Sequence, residues 1–418
     1  MRNYTLIIAL FAAFTMVGCG TKQQQTVSET PENQKMQYRE LGSTGIQVAE
    51  LGLGCGAFGE LDSTGSRAFM DVALANGMNY IDIYDSDPMV RSNIGYALQG
   101  RRDQMIIQGH LGSYFKDGQH TRTRDLEETK AGFADLLERL GTDHIEVGMI
   151  HICDKPEDWT AVEGSDFLAY LQQLKEEGKI GHIGMSSHNA EVALMAAKSG
   201  IVEVIMFSLN PAFDRIAAGN NMWDPESYNH MLAGIDPVRM ELYDYCATHN
   251  IAITVMKAFG GGGHLLDAES SPLDVALTPS QCLSYALAKP CVAVALCGAQ
   301  TIEELESDLH YLDATEEEKD YNAVLKGEQP TAVTVGDAEC TYCNHCSPCP
   351  AGIDIPKVNQ LLDEAKKYEK VPDELMAEYN ALHHHASECI ECGACETRCP
   401  FSVPVRDRMK EAVKVFGK

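Results

Sequence analysis

Positive charge is scarce in this chain of 418 residues. Lysine and arginine together number 33 against 61 aspartates and glutamates, which gives a formal net charge of −28, and the basic residues are not concentrated in any one region. Proteins that bind nucleic acid contact its phosphates through patches of lysine and arginine. The composition therefore argues against a nucleic acid partner. It also argues against adhesion to anionic lipid except through an anchor.

Long apolar runs are missing as well. The run at residues 6–17 is too short to span a bilayer, and no other segment is apolar enough for a membrane helix. Arg2 precedes this run, and it is followed by a small-residue site ending at Cys19 and by the polar stretch TKQQQTVSETPENQK. This order is typical of a bacterial lipoprotein signal with Cys19 as the lipidated first residue. An ordinary secretory signal is the alternative.

These features predict a signal peptide over residues 1–18 and a lipid-anchored polar tether over residues 19–35. The protein would then be exported and held at the membrane of the bacterial cell envelope through Cys19. Because no twin-arginine pair precedes this apolar run, we expect export as an unfolded chain. The alternative is a cytoplasmic protein with a misleading N-terminus. The remaining ~380 residues predict one large domain and one small domain.

The 15 cysteines are distributed in a way that does not favour disulfides. Apart from Cys19, six of them stand singly, mostly in apolar runs where cysteine behaves as a small hydrophobe. The other eight form two groups, namely Cys340, Cys343, Cys346 and Cys349, and Cys389, Cys392, Cys395 and Cys399. Cysteines so close in sequence cannot bridge each other without strain. The two groups therefore indicate metal ligands.

The second group follows the spacing Cys-x2-Cys-x2-Cys-x3-Cys-Pro, which is the spacing of a four-iron four-sulfur cluster. The first group has two residues before its last cysteine instead of three. Two structural zinc sites are the alternative, but zinc-binding cysteine pairs are normally separated by a finger-length segment. We predict two 4Fe-4S clusters in a small, mostly helical domain over residues 339–418, preceded by a linker over residues 314–338.

Between residues 36 and 313, short apolar runs alternate with amphipathic helical ones such as residues 125–141. Eight strand and helix units predict a closed parallel (β/α)8 barrel, that is, a TIM barrel. An open doubly wound sheet is the alternative, but no Gly-x-Gly-x-x-Gly turn follows the first strand. The predicted strands cover residues 48–54, 78–82, 104–109, 144–151, 180–186, 202–208, 251–257 and 291–298.

Polar residues stand where these strands end, which is where such barrels carry their catalytic groups. They are Asp82, His110, His151, Ser186, Ser187, Asn210 and Lys257. We predict that Asp82, His110 and His151 share one pocket because their strands are consecutive. Together with Asp87 they could ligate a divalent metal. We favour a metal-free pocket in which the histidines exchange protons with a substrate.

Several stretches resemble the aldo/keto reductase family: YRELGSTGIQVAELGLG, GMNYIDIYDSD, DHIEVGMIHICD, GKIGHIGMSSHN and VMKAFGGGG. With its two cysteine groups, the chain is similar to the branch of that family that carries a C-terminal two-cluster ferredoxin domain. The resemblance covers residues 36–402. In such domains the fourth cysteine of each group usually ligates the other cluster. The resemblance thus implies that Cys349 serves the second cluster and Cys399 the first.

The family reduces carbonyls with a nicotinamide cofactor and a tetrad of aspartate, tyrosine, lysine and histidine. The resemblance places Asp82 at the aspartate and His151 at the histidine, whereas Asp87 occupies the tyrosine position and His110 the lysine position. The tyrosine is the proton donor and the lysine lowers its pKa, and an ionised Asp87 does neither. We expect His110, hydrogen-bonded to Asp82, to exchange protons instead, and Tyr84 to point elsewhere.

The family's cofactor-binding positions are only partly kept. The candidates are Ser186, Ser187, Asn210, Lys257, Gly298 and Thr301. Where the family usually has a basic residue for the 2′-phosphate of NADP, this chain offers Gln300, Glu304 and Asp308. Carboxylates at this place would repel a phosphate. We therefore expect weak binding of NAD or NADP, with no strong preference between them.

Together these features predict an oxidoreductase that couples a small carbonyl or alcohol substrate in the barrel to two 4Fe-4S clusters. An electron donor or acceptor of unknown identity would be its partner. Two alternatives remain at this point. One is an exported electron-transfer or ligand-binding protein on a degenerate barrel, and the other is a conventional cytoplasmic NAD(P)H-dependent carbonyl reductase.

Overall fold

The computed structural model describes most of the chain from residue 35 onwards. The described residues are 35–220, 222, 227–228, 231–232, 234–325, 340, 346, 349–368, 370–399 and 403–418. The predicted signal peptide, nearly all of the predicted tether, and Cys343 lie outside this set. Within it, no helix is both long and apolar enough to cross a membrane.

Twelve strands are formed by the described residues. They are β1 Tyr38–Glu40, β2 Gln47–Ala49, β3 Leu51–Gly54, β4 Tyr80–Ile83, β5 Ile106–Leu111, β6 Ser113–Lys116, β7 Gln119–Arg122, β8 Ile145–Ile150, β9 Ile180–Ser187, β10 Val204–Ser208, β11 Ala252–Met256 and β12 Val292–Cys297. Strands β1 and β2 pair with each other, as do β6 and β7, in two antiparallel hairpins. The other eight strands form one sheet.

That sheet is a closed parallel barrel with the strand order β10-β11-β12-β3-β4-β5-β8-β9. Each of its strands overlaps one of the eight strands predicted from the sequence, so the predicted barrel is confirmed and the open sheet is wrong. The strands are short, nearly continuous apolar runs because both faces of a parallel sheet are covered. Strands β8, β9, β10 and β11 are almost entirely buried.

The helices surround the barrel and continue into the C-terminal region. They are α1 Ser63–Ala75, α2 Pro88–Leu98, α3 Leu126–Leu140, α4 Pro156–Val162, α5 Asp166–Glu176, α6 Ala190–Lys198, α7 Pro237–His249, α8 Pro279–Leu287, α9 Ile302–Leu309, α10 Glu316–Lys319, α11 Tyr321–Leu325, α12 Ile355–Ala365, α13 Asp373–Asn380, α14 Ala394–Arg398 and α15 Val405–Phe416. In the helix predicted over 125–141, Asp125 caps the first turn of α3 and Gly141 ends it with a positive φ of 64°.

The β1–β2 hairpin closes one end of the barrel. Leu41 and Val48 from this hairpin are fully buried, in one cluster with the barrel residues Tyr80 and Val147. Gly42 lies so close to β11 that an added Cβ would come within 2.6 Å of its backbone, at a φ of +57°. A larger residue there is excluded on both counts. The opposite end of the barrel, where the strands finish, stays open.

Arg91 on α2 fixes the loop that follows β4. Its side chain is buried, donates 2.8 Å to the carbonyl of Gly132 and 2.9 Å to Asp135 on α3, and donates 3.1 Å from Nε to the carbonyl of Asp85. Burial lowers the pKa of Arg91, and Asp135 opposes that effect. Arg91 therefore ties the loop at Asp85 to two helices.

The C-terminal region has a small core of its own. Residues from α12, α13 and α15, including Val358, Leu362 and Met409, form one buried cluster. The ring of Tyr379 stacks on Phe416 at 4.0 Å between ring centres, and its hydroxyl donates 2.6 Å to the carbonyl of Lys418. The helical character predicted for this region is confirmed.

Candidate active site and cluster site

A cavity of about 560 Å³ opens at the ends of the barrel strands. Its wall includes three kinds of residue: the strand-end groups Asp82, His110, His151 and Ser186, the residues Lys257 to Phe259 after β11, and Gly298, Gln300, Glu304 and Asp308 after β12. This is the end at which parallel barrels carry their chemistry. Its polar groups therefore form the candidate active site.

Asp82, His110 and His151 lie in direct contact within this cavity. Nε2 of His110 lies 3.0 Å from Oδ1 of Asp82, and Nδ1 of His110 lies 2.9 Å from Nδ1 of His151. Each of the three residues is no more than 2% exposed. Burial, with His110 and His120 as neighbours, lowers the pKa of His151 well below its ordinary value. The structure thus brings together the three residues that the sequence assigned to one pocket.

A third histidine, His120, joins this group and was not predicted. Its Nε2 lies 3.2 Å from Nε2 of His151, and it is carried by β7 of the second hairpin. The hairpin turn has Asp117 at φ 54° and Gly118 at φ 79°, which is the Asp-Gly turn typical of a two-residue hairpin. That dipeptide was the sequence signal that could have revealed the hairpin after β5.

Near the family's tyrosine position, Asp87 and Tyr84 lie in the opposite places to those expected, with Tyr84 in the cavity wall and Asp87 outside it. Asp87 does not line the cavity, and its side chain accepts a 2.7 Å hydrogen bond from the backbone N–H of Met89 at the start of α2. Tyr84, which we expected to point elsewhere, lines the cavity, and its ring lies edge-on to His120 with centres 6.0 Å apart. The expectation for Tyr84 is therefore wrong, because the loop after β4 turns it back over the strand ends.

The predicted cofactor-binding residues fall into two sets. Ser186, Lys257 and Gly298 line the cavity. Lys257 has a positive φ of 63°, and burial lowers the pKa of its amine. Its backbone carbonyl accepts a 3.0 Å hydrogen bond from Asn210.

The remaining three of these residues do not line the cavity. The hydroxyl of Ser187 is bonded within the loop after β9, donating 3.1 Å to the carbonyl of Asn189. Asn210 is fully buried and accepts hydrogen bonds from the N–H groups of Ala212 and Phe213. Thr301 caps the first turn of α9. These roles support the loops, and direct contact of the three residues with a cofactor stays a prediction.

The cavity wall after β12 is acidic, as the sequence indicates. Glu304 and Asp308 both line the cavity. Burial raises the pKa of Asp308 to about 7, and a hydrogen bond with Cys297 opposes that effect. Its Oδ2 atom is buried without a hydrogen-bond partner among the described residues. A phosphate at this place would meet carboxylates instead of a basic residue.

In the C-terminal region, four cysteines from the two groups line one shared cavity. They are Cys349 from the first group and Cys389, Cys392 and Cys395 from the second. This grouping is the one that the resemblance implies for Cys349. Four thiolates around one small space are the donor set of a 4Fe-4S cluster. The described residues therefore fit a cluster at this place.

The remaining described cysteines include Cys340, whose sulfur accepts a 3.4 Å hydrogen bond from the side-chain amide of Asn359. Asn359 is fully buried, and Nε of Arg408 donates 2.8 Å to its Oδ1. Because arginine has only donors, this contact fixes the amide with its N–H toward the sulfur. Hydrogen bonds to cluster ligands of this kind tune a bound cluster.

No three His, Cys, Asp or Glu side chains of the described residues are arranged to hold a single metal ion. For the cysteines this is compatible with a cluster, because its thiolates bind different irons and stand farther apart than the ligands of one ion. For Asp82, His110 and His151, the finding gives no support to the facial metal site, since Asp82 and His151 meet opposite ring nitrogens of His110 and the three donors do not converge on one point.

Comparison with known proteins places this geometry in a family. The model of the aldo/keto reductase family matches residues 50–276, and that of the 4Fe-4S dicluster domain matches residues 339–403. The chain belongs to the aldo/keto reductase family. It is an oxidoreductase of that family with a 4Fe-4S ferredoxin domain at its C-terminus.

Three similar proteins each match about two thirds of this chain. The uncharacterized oxidoreductase YqkF of Bacillus subtilis is 30% identical over 303 residues, which cover 68% of this chain and 94% of that protein. Protein tas of Escherichia coli is 24% identical, covering 66% and 93%. Among solved structures, aldo-keto reductase AKR11C1 from Bacillus halodurans in its holo form is 26% identical, with a TM-score of 0.54, covering 69% of this chain and 96% of that one.

Proposed function

We propose that this aldo/keto reductase family member transfers electrons between a small carbonyl or alcohol in the barrel cavity and its iron–sulfur clusters. The observation that carries the proposal is the contact of Asp82, His110 and His151 in the cavity, where His110 stands at the family's lysine position. Asp87, at the tyrosine position, is outside the cavity wall. The site therefore has proton-transfer groups, but not the usual pair that accompanies hydride transfer.

The electron and proton balance of the reaction follows from the substrate class. Reduction of a carbonyl to an alcohol takes two electrons and two protons, and oxidation of the alcohol releases them. Two bound 4Fe-4S clusters supply one-electron carriers, so that the pair matches a two-electron reaction with an external one-electron partner. His110 and His151 hold or accept the protons.

At His110 and His151, the cavity offers places for a substrate oxygen only by exchange of partners. Both ring nitrogens of His110 and both of His151 lie within 3.2 Å of another side chain. A substrate oxygen therefore takes the place of one of these hydrogen bonds, and Asp82 keeps the His110 ring oriented. Lys257 adds a cation to the cavity wall. This arrangement favours an oxygen that becomes negative during reduction.

The acidic wall after β12 supports the choice of clusters over NADPH as the electron source. Glu304 and Asp308 line the region where the family places the cofactor's extra phosphate. We expect weak binding of NADPH, with no strong preference over NADH, because these carboxylates repel the negatively charged extra phosphate. Fluorescence titration with both nucleotides measures this. Tight NADPH binding together with turnover of ordinary aldehydes would favour the conventional reductase.

The proposal includes an exported protein that is anchored at Cys19. The support is the N-terminal sequence pattern, which lies outside the described residues. Labelled palmitate should be incorporated into the full chain produced in a bacterium, and a Cys19→Ala variant should lose the label and the membrane fraction. Unlabelled protein in the soluble fraction would favour the cytoplasmic alternative.

The decisive experiment uses anaerobically purified full chain with reduced methyl viologen as electron donor and a panel of small carbonyls. Replacing His110 by alanine should abolish turnover without changing iron content. His110→Lys should not restore it, because the partner tyrosine is absent. His144→Ala, at an exposed histidine bonded to Asp143, is the matched control. Full activity in the His110→Ala variant would sink the proposal and favour a binding or electron-transfer protein.

A further inference from the structure

We propose that His120, His151 and His110 form a proton path from the rim of the barrel to the substrate cavity, with His120 at the outer end and Asp82 at the inner end. Its use in turnover rests on the proposed function. The path itself is a property of the side chains and can be tested without a substrate.

The path is continuous by distance. From the rim inward, Nδ1 of His120 lies 3.2 Å from the backbone nitrogen of Ser86 and 2.9 Å from its Oγ. Nε2 of His120 lies 3.2 Å from Nε2 of His151, and Nδ1 of His151 lies 2.9 Å from Nδ1 of His110. Nε2 of His110 lies 3.0 Å from Oδ1 of Asp82. All of these distances are within hydrogen-bond range.

One fixed donor sets the direction of every bond in this path. The backbone N–H of Ser86 can only donate, so Nδ1 of neutral His120 must accept and its proton sits on Nε2. His120 therefore donates to Nε2 of His151, which in turn carries its proton on Nδ1 and donates to His110. His110 then donates from Nε2 to Asp82. One tautomer of each ring satisfies all the bonds.

The inner end is fixed independently. The side-chain amide of Gln108 donates 2.6 Å to Oδ1 of Asp82, while its Oε1 accepts from the hydroxyls of Tyr80 and Thr254 at 2.8 and 3.1 Å. The sulfur of Met206, which can only accept, lies 3.4 Å from the same amide nitrogen and sets this orientation. Asp82 is thus held as an acceptor, which is the role that the His110 tautomer requires.

The outer end reaches solvent and suits a change of protonation. The side chain of His120 is 28% exposed, and Oδ1 of Asp85 lies 3.7 Å from its Nδ1. If Nδ1 gains a proton, Oγ of Ser86 can accept it in place of the backbone donor. Near His120, the negative charge of Asp85 offsets the positive charge of Arg91. The positive charges of Arg122 and Arg124 act on His151.

Proton transfer along the path makes and breaks one N–H bond at each ring and makes an O–H bond at its inner end. A solvent proton binds Nδ1 of His120, and the Nε2 proton of that ring moves to His151. The Nδ1 proton of His151 moves to His110, whose Nε2 proton passes to Asp82 or to a substrate oxygen. One proton enters and one leaves, and no electrons move. Ring rotation, or a proton travelling outward, restores the first tautomers.

The tautomers are tested by 15N NMR of the full chain labelled at histidine. We expect the proton on Nε2 of His120, on Nδ1 of His151 and on Nε2 of His110. A different neutral tautomer at His151 would overturn the proposal, because the path could not then run through both of its nitrogens. This measurement involves no substrate.

Proton conduction is tested by the exchange of the His110 and His151 ring protons with water, measured by saturation transfer. The variant His120→Gln keeps a polar side chain but cannot relay a proton, and should slow this exchange about 100-fold, the usual scale of a proton-transfer group. In His120→Ala, added imidazole should restore it. His144→Gln is the matched control and should exchange like the unchanged protein.

Equal exchange in His120→Gln and the unchanged protein would overturn the path. The two proposals fail separately. Slowed exchange in a protein that turns over no carbonyl would contradict the proposed function alone, whereas carbonyl turnover with unslowed exchange would contradict the path alone.

Discussion

The barrel cavity and the cysteine domain present their chemistry in different ways. In the cysteine domain, the donor atoms are one residue type at short, regular spacing, and Cys389, Cys392 and Cys395 line one cavity with Cys349. In the barrel, the polar groups come from strands and loops far apart in sequence. The cavity contacts between His110 and His151 join residues 41 positions apart.

This difference shows what a single substitution can change. A cysteine group of this kind has one function, which is to bind its cluster, so the loss of one ligand removes that function. A barrel mouth is built from separate side chains, so a change of lysine to histidine alters the chemistry while the fold stays. Loss of one cysteine ligand should therefore have a larger effect than any single substitution in the barrel mouth.

Replacing Cys392 by serine should give the largest effect. Two filled clusters contain about eight irons and eight sulfides, and the variant should lose roughly half of each. Its C-terminal domain should be destabilised while the barrel persists, since the two have separate buried cores. Iron and sulfide analysis and thermal unfolding under anaerobic conditions measure this.

Cys246→Ala is the matched control, because Cys246 is buried in the barrel core away from both cysteine groups. It should keep its full iron content. Zinc in stoichiometric amount without sulfide in the unchanged protein would contradict the cluster assignment. Full iron content in the Cys392→Ser variant would do the same.

Replacing Asp82 by asparagine should lower carbonyl turnover about 100-fold or more, the scale of a proton-transfer group. Oδ1 of Asp82 accepts from both Gln108 and His110, and an amide cannot balance a positive charge on the ring. Asp87→Asn is the control, since asparagine also caps a helix well. Equal activity of the two variants would show that the cavity carboxylate is dispensable.

The pKa of Asp308 predicts a pH dependence of stability. Its pKa is about 7 in the folded protein against an ordinary value of 3.8, so between these values the folded state holds a proton that the unfolded chain has lost. The free energy of unfolding should therefore fall as pH rises through this window, by up to ~1.4 kcal/mol per pH unit from this group.

The comparison of variants isolates that contribution. Asp308→Asn should remove this pH-dependent contribution to the free energy of unfolding. The variant should be more stable than the unchanged protein above pH 7 in anaerobic urea unfolding. Glu306→Gln, at an exposed carboxylate of the same helix, should leave the pH dependence unchanged. An identical pH dependence in the Asp308→Asn variant would contradict the role of burial in the acidic cavity wall.

The smallest effect is expected at Asn359. Its N–H donates to the sulfur of Cys340, and such a bond favours the more negative, reduced state of a cluster. Losing a bond of about 1 kcal/mol corresponds to roughly 40 mV for one electron. Asn359→Leu should lower the potential of one cluster by that amount in an EPR-monitored redox titration.

Asn380→Leu, at an exposed amide at the end of α13, is the control and should change neither potential. If Asn359→Leu shifts both potentials equally, or shifts neither, the hydrogen bond to Cys340 does not distinguish the two clusters.

Much of the fold was predictable because its signals are local. Each barrel strand is a short apolar run with a helical run after it, and the alternation alone predicts the closed barrel. The β6–β7 hairpin was missed although its Asp117-Gly118 turn is a local signal. The position of Tyr84 was wrong because the loop after β4 is held by contacts such as that of Arg91 with Asp85, which no periodic pattern reports.

The sequence by itself determined the eight strands, the two cysteine groups and the loss of the family's tyrosine and lysine, because each is a matter of residue type at short spacing. Only the tertiary structure decided that His120 completes a chain of three histidines and that Tyr84 lines the cavity. These contacts form when a loop folds back over the strand ends or a helix packs on another. Burial then fixes which histidine ring nitrogens form hydrogen bonds with each other.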